Sequence, residues 1–165
     1  MFSPYKLTEL KVGLYQFTTD QEVVYNVYFG DGMCYFQDYP EFSDDVMTFG
    51  FDRISAPRSK SRADIKIRFT ITHHILNLFN KKQDKILFFV CDSADSRGTA
   101  RMRMFEHWYQ QQKISFLEKY NESIATSEID IHCSIILHSK NIMKDHIISS
   151  FRNLSKSTAE KLKSY

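Results

Sequence analysis

Residues 85–101 read KILFFVCDSADSRGTAR, and this stretch decides the fold. It begins with a continuous apolar run over residues 86–90, which is typical of a strand buried on both faces at the centre of a sheet. It then turns polar and enters a segment with helical spacing. Ligands of open α/β sheets bind at the carboxyl ends of strands. The stretch therefore predicts both the centre of the sheet and the position of a candidate site.

Strands are predicted on the amino-terminal side of this centre. Residues 13–19 and 22–29 alternate in polarity and are separated by Asp20 and Gln21, which is the loop length of a tight β-hairpin. Residues 46–53 predict a third strand. Between the second and third strands, the aromatic-rich residues 30–45 predict a long loop, or a loop with a short strand near residues 33–36.

Helices and strands are predicted to alternate in the rest of the chain. Apolar residues repeat at helical spacing over residues 63–80, which favours a helix there over a strand. A second helix is expected over residues 96–120, a strand over residues 129–137 and a last helix over residues 141–154. The predicted fold class is α+β: a single domain with a mixed β-sheet, an N-terminal antiparallel hairpin, and a β-α-β-α-β-α second half with parallel crossovers.

Composition agrees with one folded domain. The 165 residues suit a single domain spanning 1–165, with a polar tail from about residue 155. The hydrophobic content of 42% excludes the disordered class. There is no signal peptide and no membrane-length apolar run, so a cytoplasmic protein without a membrane partner is expected. The three cysteines have no close spacing, and they predict neither a disulfide framework nor a zinc site.

The charges are distributed unevenly along the chain. Residues 1–52 carry 2 basic and 9 acidic side chains, a net charge of −7, whereas residues 53–165 carry 20 and 11, a net charge of +9. This asymmetry fits one surface for a cationic partner and another for an anionic one. The alternative is that the two parts attract each other within one fold.

The polar end of the opening stretch is the main candidate site. Helical geometry places Ala100, Met104 and Trp108 on a core-facing arc that also includes Arg97 and Arg101. A buried guanidinium needs an acceptor, and nearby carboxylates can supply it and form a structural cluster at the end of the sheet. Alternatively, the same residues hold an anionic ligand. The candidate residues are Asp92, Ser93, Asp95, Ser96, Arg97 and Arg101.

Two other readings of this stretch are weaker. Asp92 and Asp95 have the spacing of a two-carboxylate magnesium site, but such a pair alone is a weak signal, and no metal is expected. Cys91 continues the apolar strand and has no histidine nearby in the sequence. It is therefore predicted to be a buried core thiol and not a nucleophile.

A basic segment is the second candidate site. Residues 53–68 contain six positive side chains against a single acid, Asp64. Such a segment can bind phosphates of a nucleic acid or a cofactor, or it can simply be solvated. The candidate phosphate ligands are Arg53, Arg58, Lys60 and Arg62. The histidines lack the spacing of a metal site, so they are expected to be ordinary polar or partly buried residues.

Two resemblances add to this reading. The string C-D-x-x-D of residues 91–95, followed by Arg101, Phe105 and Trp108-Tyr109 after an I-x-x-x-I-x-x-L-F helix, resembles a family of short, uncharacterised proteins, chiefly from Bacteroidetes. The resemblance spans residues 14–151 and implies no activity. A regulatory or defence setting is what this kind of family implies.

The second resemblance is one of topology. The succession of strands, helix, buried strand, helix and strand is similar to the core of the GCN5-related acyltransferases. The resemblance implies that the pyrophosphate of acyl-CoA would lie against residues 58–63. The glycine-containing phosphate loop of those enzymes is absent here, because RSKSRA has no glycine to let the backbone approach a phosphate.

These observations favour a non-catalytic binding or regulatory module, because no complete nucleophile, metal or cofactor constellation is evident in the sequence. A protein partner or an anionic ligand is expected, and no cofactor. The alternatives are a diverged acyltransferase, for which acyl-CoA would be the cofactor, and a protein that binds nucleic acid through residues 53–68. The sequence does not indicate an oligomeric state.

Overall fold

The computed structural model describes residues 3–55, 64–91, 97–112, 114–125 and 130–163. These residues contain seven strands and three α-helices. In chain order the elements are β1 (Thr8–Lys11), β2 (Leu14–Thr18), β3 (Val24–Asp31), β4 (Val46–Arg53), α1 (Ile65–Lys81), β5 (Ile86–Cys91), α2 (Gly98–Gln112), β6 (Leu117–Ala125), β7 (Asp130–His138) and α3 (Lys144–Lys163).

The fold is a mixed α+β fold, as the sequence predicts. The strand order of the sheet is β1-β2-β3-β4-β5-β7-β6, and the pairs β1–β2, β2–β3, β5–β7 and β6–β7 are antiparallel. The N-terminal antiparallel hairpin is thereby confirmed. The strand predicted over residues 129–137 corresponds to β7, and its predicted parallel direction relative to β5 is wrong, because β7 pairs with β5 antiparallel. An additional strand, β6, lies between α2 and β7 in the chain; it is antiparallel to β7 and therefore runs parallel to β5.

The chain divides into two compact units. Unit 1 consists of Met1–Gly30 and Thr48–Lys82, and unit 2 consists of Asp31–Met47 and Gln83–Tyr165.

In unit 1 the hairpin loop is longer than the two residues predicted. The Thr19 N–H donates to the Val23 carbonyl at 2.9 Å, and Glu22 has a φ of 59°, a left-handed conformation that reshapes the turn.

The core of unit 2 is built from one face of β5 and β7. Because side chains alternate along a strand, Ile86 and Phe88 share this face with Ile135 and Leu137, their partners across the two strands. The apolar face of α3 packs on it through Ile147 and Phe151. Phe36, Phe42 and Val46, which lie within residues 31–47, complete this buried cluster.

The second predicted helix is shorter than expected. It ends at Gln112, and residues 117–125 form β6 instead of the helix predicted to reach residue 120. The predicted core-facing arc of α2 is only half-buried at Met104 and Trp108, and Ala100 is exposed. The last helix runs on to Lys163, beyond its predicted end at residue 154. Within the described residues, no helix combines the length and apolar character that a membrane crossing requires.

Candidate functional site

Unit 2 contains the part of the main predicted site that the structure describes. Asp92, Ser93, Asp95 and Ser96 lie outside the described residues. Arg97 and Arg101 lie at the start of α2, one turn apart, and the Arg101 N–H donates to the Arg97 carbonyl at 2.9 Å. Arg101 is half-buried, but Arg97 is exposed. The prediction that Arg97 turns toward the core is therefore wrong, since its position just before the helix leaves it on the solvent side.

A histidine network lies next to this helix start. His132 of β7 is 9% exposed, and both of its ring nitrogens have partners. Its Nδ1 is 2.8 Å from the hydroxyl of Ser123 on β6, and its Nε2 is 3.2 Å from the hydroxyl of Thr99 on α2. The carboxylate of Asp130 lies 3.4 Å from the same Nε2. The imidazole thus joins three elements of unit 2.

The partners of His132 assign its tautomer. An ionised carboxylate only accepts hydrogen bonds, so an Nε2 that contacts Asp130 carries the proton in the neutral ring. Nδ1 is then an acceptor, and the Ser123 hydroxyl donates to it. Ser123 is exposed, whereas the ring behind it is buried. The arrangement places an accessible hydroxyl against a nitrogen that can take up its proton.

Strand register extends this arrangement across the sheet. Residues directly opposite each other share a face, and His132 is opposite both Cys91 of β5 and Ser123 of β6. Cys91 is buried, which confirms its prediction as a core thiol. Cys133 points to the other face, where burial raises the pKa of its thiol to about 12.

An ion pair lies on the same face of the sheet as His132. The Lys119 side chain is only 2% exposed, and its ammonium lies 2.6 Å from the Glu106 carboxylate of α2. Asn121 donates to the same carboxylate at 3.1 Å, and Gln110 donates to its other oxygen at 2.8 Å. Burial by itself raises the pKa of Glu106, but the hydrogen bonds from these three side chains outweigh it and hold the pKa at about 2.

A polar groove lies between β6 and α3. Its volume is about 460 Å³, and Tyr120, Arg152 and Lys156 are among its lining residues. The Arg152 Nε lies 3.8 Å from the Glu122 carboxylate. The Tyr120 hydroxyl donates to Glu118, which raises the pKa of Tyr120 to about 12, with burial adding to the effect. The charges of this groove are thus partly satisfied within unit 2.

The basic segment belongs to unit 1 in its described part. Arg58, Lys60 and Arg62 lie outside the described residues, and Arg53 at the end of β4 is exposed. Lys66 forms an ion pair with Asp20 at 3.0 Å. The start of α1 is capped by an acid, because Asp64 accepts from the Lys66 N–H at 2.9 Å and from the Tyr5 hydroxyl at 2.7 Å.

Metal binding finds no support in these arrangements. Among the residues that the structure describes, no group of three or more histidine, cysteine, aspartate or glutamate side chains is placed to hold an ion. His74 of α1 packs between the Tyr15 and Phe29 rings, at centroid distances of 4.3 and 5.2 Å. Burial lowers its pKa, so its environment favours the neutral ring.

The comparisons with known proteins give a family and no activity. Residues 63–153 match the DUF6169 family, which is described as a family of unknown function. The chain belongs to this family. The DUF6169 match runs from the start of α1 into α3, and it contains His132, Ser123 and both arginines of the predicted site. No curated protein and no solved structure matches the chain.

The histidine network of this DUF6169 protein is not evident from its sequence. The histidines show no ligand spacing, so His132 is expected to be an ordinary residue. Ser123 and His132 become neighbours only when β6 pairs with β7, and the sequence predicts a helix over the first residues of β6. The available signal is the polar alternation of Lys119, Asn121 and Ser123, which places three polar side chains on one face of a strand.

Proposed function

We propose that this protein is a binding or regulatory module that takes a phosphate or carboxylate group at the start of α2. The observation that carries the proposal is the presence of two arginines one turn apart at the start of α2, one exposed and one half-buried, in the chain shortly after β5. Arginine presents a planar set of donors that matches both kinds of anion. Thr99 lies between them in the chain, and its hydroxyl is 3.2 Å from His132 Nε2, so further polar groups are close to this helix start.

A ligand, or an acidic segment of a protein partner, would contact Arg97 first, because this side chain is exposed. Arg101 should contribute more to the affinity, because it is half-buried and an ion pair that it forms is screened less by water and salt. The exposed Arg103 of the same helix is the natural comparison, because it carries the same charge but lies away from that arc. A regulatory or defence setting stays a prediction of the resemblance.

The test is a titration of the ¹⁵N-labelled chain with inorganic phosphate and with succinate at constant ionic strength. Amide shifts are expected at Arg97, Gly98 and Thr99. Arg101→Gln should weaken binding about 10- to 100-fold, which is the effect of losing a charged hydrogen bond. Arg103→Gln should leave the affinity unchanged. Shifts spread over the whole surface, or equal weakening by both substitutions, would contradict the proposal.

A second candidate function is acyl transfer from acyl-CoA. The element succession favours it, because the strands, α1, the buried β5, α2 and the following strands appear in the order that the resemblance requires. This is an analogy of fold, which does not carry activity by itself. The acidic cap of Asp64 at the start of α1 counts against a pyrophosphate there, since the carboxylate places a negative charge at that helix end and already accepts from the Lys66 N–H.

Calorimetric titration with acetyl-CoA separates the two functions. Micromolar binding that survives Arg101→Gln would favour the acyltransferase and place the ligand elsewhere. The absence of a binding signal at millimolar acetyl-CoA would exclude the acyltransferase.

Nucleic-acid binding through residues 53–68 is supported less, because Lys66 is already paired with Asp20. It predicts an affinity that falls steeply with salt in a gel-shift assay.

A further inference from the structure

Ser123 and His132 have the relative placement of a nucleophile and its base. We infer that Ser123 is a reactive serine that is acylated by activated carboxylic esters, with His132 as general base and Asp130 as positioning residue. The inference goes beyond anion binding, and it uses neither arginine. It rests on the Ser123 Oγ to His132 Nδ1 distance of 2.8 Å and on the carboxylate at the opposite nitrogen.

Exposure and burial are divided between the two side chains as the chemistry requires. The serine hydroxyl needs access to substrate, and Ser123 is exposed on β6. The base needs a fixed ring, and His132 is buried and joined to α2 through Thr99 at 3.2 Å. Asp130 and Thr99 together fix the proton on Nε2. Nδ1 is thereby kept free to accept the proton of the hydroxyl.

The reaction follows from these positions. The Ser123 oxygen forms a bond to the ester carbonyl carbon as its proton passes to His132 Nδ1. The bond from carbon to the leaving alkoxide breaks, and the imidazolium returns the proton to that alkoxide. A water oxygen then forms a bond to the acyl carbon as His132 takes one of the water protons. The bond from that carbon to the Ser123 oxygen breaks, the imidazolium returns the proton to Ser123, and the carboxylic acid leaves. Acylation and hydrolysis together consume one ester and one water and yield one alcohol and one acid.

The first experiment treats the full chain with a fluorophosphonate probe and locates the adduct by peptide mass mapping. A single adduct on Ser123 is expected. Ser123→Ala should abolish it. Ser149→Ala removes another exposed serine, on α3, and should leave labelling unchanged. No adduct on the folded chain, or an adduct on another residue that persists in Ser123→Ala, overturns the inference.

The second experiment tests the base. His132→Gln should lower the labelling rate about 100-fold, in line with the loss of general base catalysis. Asp130→Asn should lower it about 10-fold and Asp130→Glu should restore part of the rate, while the melting temperature stays close to that of the unmodified sequence. Because the Asp130 side chain is only half-buried, its variants give a result even if His132→Gln unfolds. Labelling of either His132→Gln or Asp130→Asn at the original rate contradicts the inference.

The third measurement follows the release of 4-nitrophenolate from 4-nitrophenyl acetate. We expect a burst of one 4-nitrophenolate per chain followed by slower turnover, which would show that the acyl-serine accumulates. Arg103→Gln, at an exposed residue outside both sites, should leave the burst intact, whereas Ser123→Ala should abolish it. The burst is measured without phosphate, and the phosphate titration is measured without ester. The acylation inference and the anion-binding proposal can therefore fail separately.

Discussion

At the scale of single residues, the ion pair of Lys119 and Glu106 makes unit 2 sensitive to acid. The folded pKa of Glu106, about 2, lies below its ordinary value of 4.5. The carboxylate therefore contributes stability that is present above pH 4.5 and is lost as the pH falls toward 2. Because the Glu106 side chain is 34% exposed, solvent screening reduces this contribution to about 1–2 kcal/mol.

We expect Glu106→Gln to destabilise the protein by about 2 kcal/mol at pH 7, because it leaves a buried ammonium without its carboxylate. Urea unfolding at pH 7 and pH 3 measures the effect. The variant should lose less stability between these two pH values than the unmodified chain does. Glu160→Gln, an exposed substitution on α3, should change neither value. If the stability of Glu106→Gln depended on pH as strongly as that of the unmodified chain, the ion pair would not be the cause of the acid sensitivity.

Gly13 is the residue that the turn between β1 and β2 most requires. Its φ is +77°, and a Cβ added there would collide with the Phe29 carbonyl oxygen. We expect Gly13→Ala to cost about 1–3 kcal/mol, because neither the positive φ nor the backbone neighbour can be relieved easily. Val12→Ala, at a neighbouring position that is fully exposed, should be neutral. Equal thermal stability of both variants would mean that the turn adapts.

At the scale of elements, α2 is attached more weakly than the strands beneath it. In α2 only Gly98 is buried, whereas five of the six residues of β5 are buried. Local opening is easier where little apolar surface is covered. We expect the amides of α2 to exchange with deuterium at least 10-fold faster than those of β5 and of the first half of α3, which contains the buried Ile147 and Phe151. Protection in α2 as high as in β5 would contradict this expectation.

Because α2 covers little apolar surface, we expect the removal of the Trp108 ring to reduce the stability of the protein only modestly. Its ring packs edge-on against Phe105 at 5.7 Å but stays half-buried. We expect Trp108→Ala to destabilise by about 1–2 kcal/mol, less than the 3–5 kcal/mol of a fully buried aromatic such as Phe151. Chemical denaturation of both variants checks the order. If Trp108→Ala destabilised the protein as much as Phe151→Ala, Trp108 would be a core residue, as its helical spacing predicts.

Elements with strong local patterns are the ones that the sequence predicts well. The sequence predicts the third strand over residues 46–53, and β4 has these bounds. The bounds of α1 and β5 lie within two residues of those that the sequence predicts. The end of α2 and the whole of β6 were not predicted. Residues 113–125 contain helix-favouring leucine, glutamate and lysine and no glycine or proline, so the strand forms because pairing with β7 overrides local preference.

The candidate site could be predicted only in the same partial way. The carboxyl end of a buried strand indicates where ligand-binding residues gather, and Arg101 is indeed half-buried there. The contact between Ser123 and His132 depends on the register of two strands, one of which was missed. Composition and helical spacing carry no information on that register.

At the scale of the whole molecule, the three cysteines report on the integrity of unit 2. Cys34 is exposed, and Cys91 and Cys133 are buried on the two central strands of this unit. The raised pKa of Cys133, together with burial, keeps its thiol from forming the reactive thiolate. We expect one thiol to react rapidly with a disulfide reagent in the native protein and three after unfolding.

The two slow thiols then measure how often the core opens. Phe151 is fully buried against Phe88, and Phe151→Ala should destabilise the core by about 3–5 kcal/mol. When closing is faster than modification, the rate follows the population of the open state, so the slow thiols should react about 100- to 4,000-fold faster in this variant. Cys34 should react at its original rate, and Ile142→Ala, at a residue that is 95% exposed, should change nothing. Acceleration of Cys34 alone would mean that unit 2 opens near the surface and that its core does not unfold as one body.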